Sequence, residues 1–365
     1  MDMKNMKCFY LDNTKKRNSK SLYQSVFTED SRDFVDYYYE HIGTRNKILA
    51  IEKADDSCII AMLHQNPHHI LIGQAQLKTE YIYGVAVSEQ YRHRGYMSKM
   101  IKMALRNIFE EKICFTYLFP VSKGLYEKFG FGYVGSLPSD CQLQMKEMEK
   151  NAQELQGILC SISGKEEEWK EAEAFIREDF QSRQGIYLMQ SVSYLKEWME
   201  MSRRNGEQSD LFIYRKQNKI KAILKVTDDI VIEEIGDKKE IKEAFYLWAR
   251  LSKQNAEIST EQYTKQNTEQ YTEQNRKQST PPSTELPAMV RILHLEKLLC
   301  YISFPEELDI TFFITDDVFL ENQGIYRVHH GKGEKTQGAY KQKMHIRDFT
   351  QWLFSFIPFQ IKDQI

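Results

Sequence analysis

Apolar positions recur along this chain in two rhythms, one for strands and one for helices, and their alternation predicts most of the elements. Tyr81 to Val87 is β-branched and aromatic, which predicts a strand. From Met97 to Phe109 the residues Met97, Met100, Ile101, Ala104, Leu105 and Ile108 fall at i, i+3, i+4, i+7, i+8 and i+11, with Ser98, Lys99, Lys102 and Arg106 off that stripe. That period predicts an amphipathic helix. The apolar run Ile113–Phe119 predicts a central strand, broken by Pro120. Ser122 is placed to cap a further helix carrying Leu125, Tyr126 and Phe129 and stopped by Gly130. Further on, Trp169, Ala172, Phe175, Ile176 and Phe180 share one side of a helix over 165–182, and a second helix is expected over Tyr187–Met201. Strands at Leu211–Arg215 and Ile220–Val226 precede a helix over Ile241–Leu251. Nearer the end the pattern predicts a helix over Met289–Leu299, strands at Leu308–Ile314 and Gly324–His330, and an amphipathic helix carrying Ile346, Phe349, Trp352, Leu353 and Phe356.

From about Ser252 to Pro287 the rhythm stops. The text is nearly all Gln, Asn, Thr, Glu, Lys and Ser, with TEQYTKQN at 260–267 repeated as TEQYTEQN at 268–275. So little apolar area cannot offset the entropy of ordering, and the stretch reads as a solvated linker or loop insertion. It separates the expected units: 1–150, 151–252, the insertion 253–287, and 288–365.

Composition narrows the function classes. The chain has 365 residues, 41% of them hydrophobic, which fits two or three cores and excludes wholesale disorder. A net charge of −2 does not point to nucleic acid as partner. No apolar run approaches the roughly 18 residues of a membrane span, and the first twenty residues lack the apolar stretch of a secretion signal. The six cysteines are scattered without a Cys-x-x-Cys pair, so they read as reduced thiols and the expected location is cytoplasmic. His64, His68, His69 and the pair His329-His330 have no carboxylate or cysteine at ligand spacing, so no metal is expected.

The informative chemistry lies between residues 80 and 135. A glycine between strand and helix lets the backbone approach a ligand. The first amides of the helix have no internal partner and its dipole favours negative charge there. Arg92, His93 and Arg94 add positive potential, so the turn is an anion site suited to a pyrophosphate. Taken by itself, Arg-x-x-Gly also matches an ordinary basic surface turn.

The wider text resembles the GNAT superfamily of acyl-CoA-dependent N-acetyltransferases. Arg92-His93-Arg94-Gly95-Tyr96-Met97 matches its signature, with Met97 where a small residue is usual, and Leu125-Tyr126-Glu127-Lys128-Phe129-Gly130-Phe131 matches its second common element. More closely, the region is similar to the Eis-type (enhanced intracellular survival) branch, and "MVRILHLEKLL", "LDITFFITDD", "ENQGIYRV" and "MHIRDFTQWLF" resemble that branch's last domain. The resemblance implies an α/β (α+β) fold: tandem GNAT-like mixed-sheet domains, the second degenerate, followed by a sterol-carrier-protein-like domain. It implies acetyl-CoA as cosubstrate, a small cationic amine of aminoglycoside or polyamine type as acceptor, and a homo-oligomer, a hexamer.

Residue by residue, the resemblance implies that the backbone of Val85, Ala86 and Val87 pairs with the pantetheine arm and supplies an oxyanion donor. The amides of His93, Arg94, Gly95, Tyr96, Met97 and Ser98, with the Arg92 and Arg94 side chains, would hold the pyrophosphate. Val121 and Ser122 would flank the arm, Ser122 being equally well a helix cap. Tyr126 matches the general acid, its alternative being a core aromatic beside Phe129 and Phe131. The carboxylate of Ile365 matches the base, against a frayed terminus, because the segment before the tail looks shortened. Asp363 could attract a cationic amine. Asp30, just ahead of Tyr37-Tyr38-Tyr39, could line an amine pocket or end a solvated helix. Two other readings stay open: a non-catalytic acyl-CoA or lipid binder, and a protein-lysine acetyltransferase.

Overall fold

The computed structural model describes residues 6–54, 57–135, 157–266 and 286–362, and the side chains of all of these except 253–266. The first sheet is ordered β1-β2-β3-β4-β5-β12-β6, built from β1 (Met6–Tyr10), β2 (Lys47–Lys53), β3 (Ile59–Ile72), β4 (Ala75–Val87), β5 (Phe115–Leu118), β6 (Gly132–Tyr133) and β12 (Met289–Ile292). Its neighbours run antiparallel except β4 and β5, which are parallel and joined by the helix α3 (Tyr96–Glu110). Alternation along β2 and β3 divides the side chains between the two faces. Leu49, Ile51, Ala61 and Leu63 pack with Met100, Ile101, Ala104, Leu105 and Ile108 of α3. Ile48, Ala50 and Met62 pack with residues of α1 (Lys20–Val26) and α2 (Arg32–Tyr37) on the other face.

The middle unit is a second sheet, ordered β11-β10-β9-β7. Its strands are β7 (Ile158–Ser161), β9 (Ser209–Lys216), β10 (Lys219–Thr227) and β11 (Ile230–Gly236). Helix α4 (Glu166–Ser182) covers one face through Trp169, Ala172, Ile176 and Phe180. Helix α6 (Lys238–Gln266) covers the other through Ile241, Ala244, Phe245 and Trp248. Two expectations need correction here. The run from Tyr187 is not helical at its start: Ile186–Leu188 is a strand, β8, paired with the far end of β3, and the helix α5 begins only at Val192 and runs to Arg204. Ser191, whose hydroxyl accepts from the Tyr194 N–H, sets that start. The polar stretch from Ser252 is also not loop throughout, because the backbone of α6 continues to Gln266; residues 267–285 lie outside those described.

The C-terminal unit carries a third sheet, β15-β14-β13-β16. It is made of β13 (Ile310–Thr315), β14 (Gly324–His329), β15 (Lys332–Thr336) and β16 (Gln342–His345), packed by α8 (Ile346–Leu353). The expected helix over Met289–Leu299 is in fact strand β12, followed by the short helix α7 (Leu295–Leu299). β12 does not join the third sheet. It inserts into the first, between β5 and β6, where Val290 pairs with Tyr117 on one side and Gly132 on the other. Both faces of β12 are therefore buried, which explains a short, apolar run with no alternation. One apolar cluster accordingly holds residues of all three units, among them Ile70, Tyr117, Ile186, Val290, Phe312, Phe349 and Phe359. Among the described residues no helix is long and apolar enough to cross a membrane.

Candidate active site

Gly95 is the N-cap of α3 and sits in the left-handed region at φ +82°, and His93 precedes it at φ +62°. Only glycine takes this conformation without a Cβ penalty, so the turn is a sequence requirement rather than a space requirement: a Cβ there would meet nothing within 4 Å. The first helical bond of the turn is the Lys99 N–H to the Gly95 carbonyl, at 3.0 Å. The amides of Tyr96, Met97 and Ser98 therefore point out of the helix end. Arg92 and Arg94 are exposed and brace the loop themselves. Arg92 Nε donates to the Val87 carbonyl at 3.3 Å, and Arg94 Nη2 to that of Gln90 at 2.9 Å. His93–Ser98, with Arg92 just before them, thus share one turn at the start of α3.

This turn opens onto a fork in the sheet. β4 and β5 pair only at Glu80 with Thr116 and Tyr81 with Tyr117, after which β4 runs on to Val87 and β5 stops at Leu118. Two hydroxyls clip the strands together just before they part: Thr79 Oγ1 donates to the Phe115 carbonyl at 2.7 Å, and Thr116 Oγ1 to that of Glu80 at 2.5 Å. Beyond the fork, the edge of β4 that faced β5 has main-chain groups available to an extended ligand. Gly84, at φ +56°, interrupts the strand there, and the register to β3 shifts between Met62 and His64. The extra residue changes which way the later side chains face. Ile82 and Val85 both pack toward α3, whereas Tyr83 and Ala86 pack toward α1 and α2. A bulge of this kind re-aims a strand at a functional site.

Tyr126 belongs to the apolar cluster that packs against β4 and the start of α3. It is 5% exposed, its ring meets Phe131 edge-on at 5.9 Å, and its cluster includes Val85, Tyr96 and Met97. Burial pushes its phenol up to about 12. The helix expected around it is reduced to a single turn over Glu127–Phe129, with Tyr126 as its N-cap and Gly130 at φ +83° closing it. Ser122 therefore caps no helix; it lies exposed in the bend after β5, beside Val121, which is 83% exposed.

On the opposite side of β4 lies a polar group buried among aromatics. A π turn over Tyr38–Ile42 extends α2 and turns two successive rings inward, leaving Tyr38 and Tyr39 buried. The Tyr38 hydroxyl is 2.8 Å from His64 Nδ1 and accepts from Asn46 Nδ2 at 2.9 Å. Full burial holds the His64 imidazole down to about 3, so it is neutral at every ordinary pH. Tyr23 donates to Asp30 Oδ2 at 2.7 Å and also meets the Tyr83 hydroxyl. Burial raises the Asp30 carboxyl. Ser31, next to it, is anchored to the end of α5, its N–H to Asn205 Oδ1 at 2.9 Å and its hydroxyl to the Arg204 carbonyl at 2.6 Å.

A cavity of about 510 Å³ opens where the units meet, with Phe34, Phe119, Trp198, Asn205, Glu207 and Ile361 in its wall. Glu207 is raised first by burial, then by the neighbouring Asp228 and Asp30 carboxylates. The tail reaches this cavity through Phe359, Ile361 and Lys362; the Gln360 N–H donates to the Ile186 carbonyl at 2.9 Å. Ile365 and Asp363 lie outside the described residues. Sequence reasoning missed Tyr23, Tyr83 and Glu207, and weighed His64 only as a metal ligand. For Tyr83 a signal was present, a glycine directly after it inside a strand pattern. The others are brought in by α1, β3 and the middle unit, with no local mark.

Residues 10–134 match the family model for an acetyltransferase (GNAT) domain. No curated protein matches the sequence. Solved structures share the fold along nearly the whole chain. A GCN5-related N-acetyltransferase from Anabaena variabilis is 18% identical with a TM-score of 0.68, covering 96% of this chain and 90% of that one. A probable N-acyltransferase from Enterococcus faecalis is 14% identical with a TM-score of 0.67 over 96% and 90%. Eis1 from Mycobacterium abscessus is 8% identical with a TM-score of 0.60 over 96% and 89%.

Proposed function

We propose, from the premise that residues 10–134 are a GNAT acetyltransferase domain, that this protein transfers an acetyl group from acetyl-CoA to the amine of a small cationic molecule. The observation that carries the reading is that three features come together: the outward amides of Tyr96–Ser98, the edge of β4 at Val85–Val87 that no described strand pairs beyond β5, and Tyr126 in the same apolar cluster as Val85 and Met97. Acetyl-CoA supplies the thioester carbonyl. The His93–Ser98 amides, with Arg92 and Arg94, hold its diphosphate at the positive end of α3. Val121 and Ser122, exposed after β5, border the arm. An amide within Val85–Val87 donates to the oxygen that gains charge during attack. Tyr126, fully protonated because its phenol is raised to about 12, gives its proton to the departing sulfur.

The acceptor enters from the 510 Å³ cavity, whose size suits a small molecule and whose Glu207, with Asp30 close by, attracts an ammonium within apolar walls. That combination favours a polyamine- or aminoglycoside-like amine over a protein lysine, because Glu207 lies in the wall of a cavity rather than on an open face. A homo-oligomer remains part of this reading, measured by sedimentation of the full chain.

The test is CoA release, followed with a thiol reagent, from acetyl-CoA and a panel of polyamines and aminoglycosides. Tyr126→Phe is expected to lower kcat by about 10²-fold, in the range of general acid catalysis, while the Kd for acetyl-CoA measured by calorimetry stays unchanged. Tight acetyl-CoA binding with no release across the panel would select the non-catalytic binder instead.

A further inference from the structure

The aromatic group behind β4 contains a directional chain of hydroxyls. An ionised carboxylate only accepts, so the single O–H of Tyr23 is committed to Asp30, at 2.7 Å. The contact between the Tyr23 and Tyr83 hydroxyls can then have only one direction, with Tyr83 donating to the Tyr23 oxygen. The order of donation is Tyr83 to Tyr23 to Asp30, and it ends on a carboxylate that is part-buried but not sealed. Tyr23 is fully buried in the middle of the chain, a costly place for a hydroxyl unless both of its hydrogen-bonding roles are used.

The two ends of this chain lie in informative places. Tyr83 directly precedes the Gly84 bulge and so adjoins the Val85–Val87 edge, where the thioester would lie. Its ring is 5.6 Å from that of Tyr81, which meets Phe119 of the cavity wall at 5.9 Å. Asp30 is close enough to Glu207, also in the cavity wall, for its charge to raise that carboxyl. The chain therefore runs beside the cavity, from the fork to a carboxylate pair. The groups facing Asp30 are Tyr23 from α1, Glu29 beside it in sequence, and Glu207 from the turn after α5.

We infer that Tyr83, Tyr23 and Asp30 form the proton relay that deprotonates the acceptor ammonium, with Tyr83 as the group that touches the amine and Tyr23 and Asp30 as relay residues behind it. This rests on the acetyltransferase reading above. In the step, an N–H bond of the ammonium breaks and its electron pair stays on nitrogen. The proton joins the Tyr83 oxygen as the Tyr83 proton passes to Tyr23 and the Tyr23 proton to Asp30 Oδ2. The products are a neutral amine, two intact phenols and a neutral carboxyl, which returns its proton to solvent after turnover. The burial that raises Asp30 makes it a better proton acceptor than an exposed aspartate. No phenolate forms at rest, in keeping with the strongly raised Tyr23 phenol.

The experiment measures kcat/KM from pH 6.5 to 9.5 for the full chain and for Tyr83→Phe, Tyr23→Phe and Asp30→Asn, with a polyamine and an aminoglycoside as probes. Asp30→Asn keeps an acceptor for Tyr23 but removes its proton affinity, so packing is retained and the relay is not. The wild type is expected to plateau. Each variant is expected to fall at least tenfold below it at pH 7 and to recover about tenfold per pH unit, because it must wait for amine already neutral in solution. A chain shortened to end at Lys362 is expected to keep the plateau. The relay is overturned if the variants plateau like the wild type, if their loss is equal at every pH, or if the shortened chain alone acquires the sloped profile. Wild-type protein that binds acetyl-CoA but releases no CoA overturns the acetyltransferase reading, and the relay with it.

Discussion

A single residue shows how burial, more than a charged neighbour, sets chemistry in this protein. His64 has no exposed surface, and the imidazole is held down to about 3 by loss of water, its Nδ1 engaged by Tyr38. In the unfolded chain the same group titrates near 6.5. Between those values the unfolded state binds the extra proton, so stability is whole above about pH 6.5 and is lost as pH falls toward 3. The expected size is about 1.4 kcal/mol per pH unit. Urea titrations at pH 6, 5 and 4 should show that slope in the wild type and a shallower one, by about that amount, in His64→Gln. Equal slopes would mean that His64 takes a proton in the folded state. The same logic separates the two tyrosines that matter most: Tyr126 has a phenol raised by burial alone, whereas Tyr23 is raised by burial together with Tyr83 and Asp30. The first stands among apolar neighbours, and the second between two polar partners.

At the scale of an element, β4 carries most of the site, and Gly84 decides what it presents. Its φ of +56° lies where a side chain is strained, yet a Cβ there would find His64 Cγ at an ordinary 3.5 Å. Gly84→Ala is therefore a conformational change with no steric clash, expected to cost about 1–2 kcal/mol. Its effect on turnover should be larger than its effect on stability, because loss of the bulge would put Tyr83 and Val85 on the same face. Chemical denaturation and kcat measured together check this, and a stability loss with unchanged kcat would refute it. The strand, the glycine turn and the stripe of α3 were all legible in the sequence, because each is fixed within a dozen residues by periodicity or by one glycine. The helix expected around Tyr126 was not so fixed. Leu125, Tyr126 and Phe129 have helical spacing, but left-handed Gly124 and Gly130 confine the turn to three residues. The helix expected over Met289–Leu299 failed for a different reason. A four-residue run buried on both faces has no alternation to read, and nothing local reveals that its partners are β5 and β6, more than 150 residues away.

That long-range strand exchange makes the molecule one cooperative object, and the buried pair that secures it gives the sharpest test. Arg291 projects from β12 and binds both oxygens of Asp316, at 2.7 and 2.9 Å, and donates to the Ile292 carbonyl at 2.6 Å. Asp316 follows β13, and it also accepts the Val318 and Phe319 amides at 3.0 Å and Asn322 Nδ2 at 2.9 Å. Burial pushes the Asp316 carboxyl up, but Arg291 and these donors outweigh it and hold it below its ordinary value. The guanidinium also backs the Tyr126 turn, where a Cβ on Gly130 would come within 2.8 Å of Arg291 Nε. Removing one partner leaves the other charged and buried, so Arg291→Met is expected to cost about 3–5 kcal/mol. The double variant Arg291→Met/Asp316→Leu should regain a large part of that, because no uncompensated charge remains. The exposed pair Arg45–Glu197, which links the first and middle units at 2.8 Å, should by contrast give about 0–1 kcal/mol when Arg45 is replaced by alanine. Calorimetry reads both the size and the sharing. With one apolar cluster spanning three units, the wild type should unfold in a single transition, and Arg291→Met should lower that transition as a whole. A variant in which the third sheet melts early while the first sheet keeps its wild-type midpoint would show that β12 does not couple them.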